Sequence, residues 1–146
     1  MLDYQEILKK NMLNILKDIL KYIQKNGLSN NNHLYITFDT QNKNIEIPKW
    51  LKNKYSHEMT IVIQFEYYDL KVYEDFFNIT LSFNDIRSKL KIAYSSIISF
   101  ADPSANFGLK IKEDNNQNKK NIKEKKSKSK SNILSFPGVK KNYSKK

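Results

Sequence analysis

No cysteine occurs in the 146 residues, which excludes a disulfide framework, thiolate zinc sites and thiol nucleophiles and agrees with a reducing compartment. Three glycines in the whole chain leave little material for a backbone loop that cradles phosphate. The two histidines, His33 and His57, sit at polar loop edges without a second ligand at short metal spacing, so no metal site is expected. Arginine is scarcer still: Arg87 alone stands among 26 basic residues, and lysine lacks the planar fork that reads guanine edges. No apolar run approaches about 18 residues, so no membrane span is expected. The opening MLDYQEILKK carries acids and no basic region ahead of an apolar stretch, so no signal peptide is legible. The expected location is cytoplasmic.

What is abundant is lysine, and its placement divides the chain. Residues 1 to 109 hold 13 of the 26 Lys and Arg and 12 of the 15 acids. Residues 110 to 146 hold the other 13 against 3 acids. Nearly all of the net charge of +11 therefore belongs to the last quarter, and the body is close to neutral. From Glu113 to about Asn132 the composition is Lys, Asn, Ser and Glu with Ile122 as the one apolar residue, too little apolar area to offset chain entropy. Apolar residues then return together in SNILSFPGVKK, residues 131 to 141. A spacer has no use for Ile133, Leu134, Phe136 and Val139 unless another molecule binds them. The organisation expected is a folded domain over 1–112, a flexible lysine-rich linker over 113–131 and a sticky tail over 132–146.

Within the body, Leu2, Ile7, Leu8, Met12, Ile15, Leu16, Ile19, Leu20 and Ile23 recur at helical spacing, predicting one amphipathic helix over residues 2 to 25 that Gly27 stops. Its apolar stripe is wide for a small β domain to cover fully, so two arrangements stand side by side: packing only on its own sheet, or pairing of part of the helix with a second copy. Period-two patterning follows. HLYITFDT sets Leu34, Ile36 and Phe38 against Tyr35 and Thr37. Pro48 prevents a central strand in NIEIPKWLKNKY and opens a helical turn. Strands are then predicted at residues 59–67, 70–73, 76–83, 88–94, 97–102 and 107–112, joined by tight connections such as FND. The fold class is α+β: an N-terminal amphipathic helix, then an antiparallel curled sheet of the SH3-like half-barrel or two-layer kind, then a disordered tail.

Catalytic patterns are missing. Asp69, Glu74, Asp75 and Asp102 fall near predicted turns, where acids serve solvation and turn hydrogen bonds. There is no Ser elbow, no paired His and no glycine-rich phosphate loop. A binding module without cofactor or metal is the reading. The alternative is a small barrel that binds RNA through its lysine tail and the surface aromatics Tyr67, Tyr68 and Tyr73; the near-neutral body makes nucleic acid the less favoured partner.

HLYITFDT, then KWLKNKYSHEMTIVIQFEYYDLKVYEDFFNITLSF, then ISFADPSANFGLKI resemble the stringent starvation protein B (SspB) family in its alphaproteobacterial form, over about residues 4 to 112. The resemblance implies a non-enzymatic adaptor of the ClpXP protease. A homodimeric domain would hold the ssrA-type tag that trans-translation adds to stalled chains, and a tail would dock on the N-terminal domain of the ClpX unfoldase. NILSFPGVKK is similar to the family's docking motif, placing Ile133, Leu134, Ser135, Phe136, Val139, Lys140 and Lys141 on it. Pro137 stands where an Asp is usual, and Val139 where an aromatic is usual.

For the tag, the resemblance implies a groove on the β domain, and strand alternation suggests the residues that face it. In 59–66, Ile61, Ile63 and Phe65 are expected in the core, with Val62, Gln64 and Glu66 opposite. In 76–83, Phe77, Ile79, Leu81 and Phe83 oppose Asn78, Thr80 and Ser82. Gln64 leads the tag-binding candidates, since its amide both donates and accepts. Asn78, Thr80 and Ser82 would line the neighbouring strand, and Val62, Ala101 and Phe107 would supply apolar walls.

Overall fold

The computed structural model describes residues 1–29 and 31–112. The linker and tail expected at 113–131 and 132–146 lie outside them. The first element is a helix, α1 (Tyr4–Asn26), which begins two residues later than the periodicity suggests because Asp3 caps it: its carboxylate accepts from the Glu6 backbone N–H at 3.1 Å. Leu2 therefore precedes the helix. Gly27, with φ 81°, ends it, and its N–H donates to the Ile23 carbonyl at 2.8 Å.

Among the described residues, seven strands follow in two antiparallel sheets. β1 (Leu34–Asp39) leads through a short helix, α2 (Lys49–Lys54), to β2 (Glu58–Ile63). Then come β3 (Tyr68–Val72), β4 (Phe76–Phe83), β5 (Ile86–Ala93), β6 (Ile97–Asp102) and β7 (Phe107–Lys110). One sheet runs β2-β1-β6-β7 and the other β3-β4-β5. The expected α+β class and antiparallel two-layer arrangement hold, and the sheets do not close into a barrel. Pro48 opens α2, as its fixed φ favours at a helix start.

The β4–β5 hairpin turns on Asn84 and Asp85, both with positive φ, at 53° and 65°, between the paired residues Phe83 and Ile86. Two successive left-handed residues in a two-residue loop match the right-handed strand twist, and Asn and Asp tolerate that region better than other side chains. Phe38, Phe77 and Phe100 fill the space between the sheets with Ile36, Ile61 and Ile92, all without solvent exposure or nearly so. Leu16 and Leu20 of α1 are fully buried in the same core. Burying each such side chain stabilises the fold by about 1.5–3 kcal/mol.

The helix stripe divides. Met12, Leu16, Leu20 and Ile23 are buried, whereas Tyr4, Ile7, Leu8, Ile15 and Tyr22 face solvent. At 100° per residue the exposed set forms one contiguous arc beside the buried one, so the domain covers only part of the apolar surface of α1.

Candidate functional site

Sheet edges expose unpaired backbone donors and acceptors, and three of the four edges here differ in how they are occupied. At β3, the Val72 N–H donates to the Gln24 side-chain carbonyl on α1 at 3.0 Å. At β5, Lys91 and Glu46 exchange two backbone bonds of 2.9 Å each, so the segment before α2 covers that side. β2 pairs with β1 on one side and, among the described residues, has no strand on the other.

Beside that open edge lies a cleft of about 290 Å³, at the junction of the two sheets. Met59 and Ile61 of β2 and Leu81 of β4 give it an apolar floor. Thr60, Val62 and Ser82 line it from more exposed positions. Tyr55, the residue just after α2, and Phe83 also line it, and Glu66 supplies a carboxylate from the bend that follows β2. The alternation of β2 explains the mixture: Met59 and Ile61 point inward, Thr60 and Val62 outward. The outward row is ordered, since the hydroxyls of Thr37 and Thr60 lie 2.7 Å apart across the strand pair.

An apolar trough alongside an unpaired strand edge is the geometry in which an extended peptide adds as a further strand. Its main chain bonds the edge, and alternate side chains enter the trough. The cleft contains no cluster suited to metal: among the described residues no group of three or more His, Asp and Glu comes together. His33 instead makes an edge contact with Tyr35, ring centroids 5.7 Å apart. Asp102 is a structural residue. Its carboxylate accepts from Asn32 Nδ2 at 2.8 Å and from the Ser104 N–H at 3.0 Å, fixing the turn between β6 and β7.

Of the residues singled out from the sequence, Val62 and Ser82 line the cleft. Gln64 is not on a strand: β2 ends at Ile63, and Gln64 lies half-buried in the bend between Val62 and Glu66. Phe65, expected in the core, is instead 72% exposed in that bend, because the ladder stops before the alternation can carry it inward. Asn78 and Thr80 face outward on the second sheet, paired with Lys71 and Lys91 and with Tyr68 and Lys89. Ala101 is only 2% exposed and offers almost no surface. It sits two strands from β2, and Phe107 three, or about 10 and 15 Å at the usual strand spacing. The Phe107 ring packs on Phe100 with centroids 6.1 Å apart.

The alternation already placed Glu66 on the mixed side of its segment. Tyr55 and the outward turn of Thr60 toward the cleft carried no comparable signal, because they depend on which strand ends a sheet. The docking residues Ile133, Leu134, Ser135, Phe136, Val139, Lys140 and Lys141 lie outside the described residues.

A family model described as Stringent starvation protein B matches residues 6–146 of the chain. No curated protein matches it.

Proposed function

The chain belongs to the Stringent starvation protein B family, a family of protease adaptors, and we propose that it holds the ssrA-type tag of stalled-chain products in the cleft beside β2 and hands its cargo to ClpXP. The observation that carries this reading is an unpaired strand edge flanked by an apolar-floored trough. A tag in extended conformation adds to β2 through its backbone, while Val62, Ser82 and the Gln64 amide contact its side chains. A short tag bound in this way needs no catalytic group, in keeping with an adaptor's task.

Delivery is assigned to the far end of the chain. The family match continues to residue 146, which supports treating Ile133, Leu134, Ser135, Phe136, Val139, Lys140 and Lys141 as the contact to the ClpX N-terminal domain. Two copies joined through the exposed arc of α1 would present two tails. The second then docks at an effective concentration set by its tether, so a modest affinity per motif is multiplied. No helix among the described residues is long and apolar enough to cross a membrane, and the adaptor acts in the cytoplasm.

The test is a titration of the full chain into a fluorescent peptide bearing the tag. Saturable binding that Val62→Glu weakens at least tenfold supports the site. Absence of binding at tens of micromolar, or binding indifferent to Val62→Glu, overturns it.

A further inference from the structure

The near neutrality of the body is an average, and the outer face of the β3-β4-β5 sheet departs from it. Strand pairing sets Lys71 beside Asn78, Asn78 beside Lys91, Thr80 beside Lys89 and Ser82 beside Arg87. Paired positions share a face, so four of the body's cations stand on one side of a three-stranded sheet, around a central row of amide and hydroxyl groups. Glu46 pairs with Lys91 at 3.6 Å. Asp69 lies at a register shift inside β3, Glu74 and Asp75 in the β3–β4 turn and Asp85 in the β4–β5 turn, so the acids border the face at its margins. Lys71, Arg87 and Lys89 are exposed.

Planar groups occupy both ends of this face. The Arg87 guanidinium lies over the Tyr68 ring, 3.9 Å from its centroid, and Arg87 is exposed. At the opposite end Tyr73 stacks on Phe76 with centroids 4.8 Å apart at 30°, and Lys91 approaches the same Phe76 ring at 4.6 Å. The two stations are separated by about four strand residues, or roughly 13 Å at 3.3–3.4 Å per residue.

We propose that this face binds single-stranded nucleic acid, independently of the peptide cleft. Lys71, Lys89 and Arg87 meet the phosphates. Asn78 and Thr80 hydrogen-bond sugars and base edges, and bases stack on the Arg87 plate and on Tyr73. An acidic peptide would satisfy the cations but leave both planar stations unused, so charge and stacking together favour nucleic acid. The lysine-rich segment beyond residue 112 would add affinity without selecting this face.

The experiment follows backbone amide shifts of the isotope-labelled full chain as a 12-nucleotide oligothymidylate is added at low and at moderate salt. Shifts centred on Tyr68, Thr80 and Lys89 are expected. Binding should be at least fivefold weaker for a sugar-phosphate chain without bases and for a polyglutamate peptide. Lys71→Glu with Lys89→Glu should weaken binding at least tenfold and reduce the slope of log K against log salt by about 1.4, at roughly 0.7 for each phosphate no longer neutralised. Reversing two tail lysines, Lys126→Glu with Lys128→Glu, should leave the sheet amides shifting as before. Shifts confined to residues 113–146 would overturn the proposal. Equal affinity for polyglutamate would overturn it in favour of an acidic-peptide surface. Loss of tag-peptide binding in the Lys71→Glu, Lys89→Glu chain would show that the face is not separate from the cleft.

Discussion

Replacing Ile15 by Asp tests whether the exposed arc of α1 joins two copies. Ile15 is 41% exposed and belongs to the arc with Tyr4, Ile7, Leu8 and Tyr22, while the core contacts of the helix come from Met12, Leu16, Leu20 and Ile23. Full burial of such side chains is worth about 1.5–3 kcal/mol, so finishing the burial of one already half covered contributes about 1 kcal/mol. Five positions on each of two helices then give about 10 kcal/mol, comparable with the roughly 4–15 kcal/mol that association costs. With so narrow a margin, single positions matter. Ile15→Asp removes about 1 kcal/mol from each copy and brings carboxylates into an apolar seam. At about 1.4 kcal/mol per factor of ten, self-association should weaken at least about thirtyfold. The helix itself should persist, since Asp in place of Ile lowers helix propensity by only a few tenths of a kcal/mol. Sedimentation equilibrium with circular dichroism reads both quantities. A dimer unchanged by Ile15→Asp, or a native chain that sediments as a single copy at tens of micromolar, would refute the reasoning.

Leu16→Ala, one residue along on the buried side, should lower stability by about 2–5 kcal/mol in denaturant unfolding, as a fully buried Leu leaves a cavity. Asp102→Ala deprives Asn32 and Ser104 of their shared acceptor and should cost about 1–3 kcal/mol in the same assay. Burial, with a smaller contribution from the nearby Glu74 carboxylate, raises the Tyr94 hydroxyl pKa above its usual value. The folded state therefore keeps the proton where the unfolded chain releases it, and this contribution is complete below about pH 10 and lost as pH rises beyond it. Because the Tyr94 hydroxyl is buried without a hydrogen-bond partner among the described residues, Tyr94→Phe should not lower the thermal midpoint at neutral pH and should flatten its decline above pH 10. A fall of more than a few degrees at neutral pH would contradict that account.

Elements whose patterning is local were legible. IISFAD reads as a strand and is β6, residue for residue. The Asn84–Asp85 turn follows from two residues that tolerate left-handed backbone between apolar strands. Gly27 stops α1 for the same local reason. Boundaries moved where a cap or the end of a ladder decided them. Asp3 delays α1 because its side chain bonds Glu6, and β2 stops at Ile63, exposing Phe65 that alternation alone would bury.

The candidate site was partly legible for a different reason. Alternation identifies which residues leave the core, and Val62 and Ser82 were found that way. The order of strands decides which of those residues meet, and that order is long-range information. Ala101 and Phe107 are expected with Val62 as apolar walls of one groove, but β1 stands between β2 and Ala101, and β1 and β6 between β2 and Phe107. Asn78 and Thr80 share a strand with Ser82, yet only the end of β4 reaches the cleft. The cation-rich sheet face was invisible for the same cause: Lys71, Arg87, Lys89 and Lys91 come from two strands, and the net charge of the body cancels them.

The central claim is that a peptide-holding body and a protease-docking tail act as one adaptor. It is tested most directly by the degradation rate of an ssrA-tagged reporter by ClpXP at limiting substrate, with and without the full chain. Faster degradation with the full chain, lost both in Val62→Glu and in Phe136→Asp, is the predicted result. A rate the chain leaves unchanged, or a stimulation that survives either substitution, would contradict it.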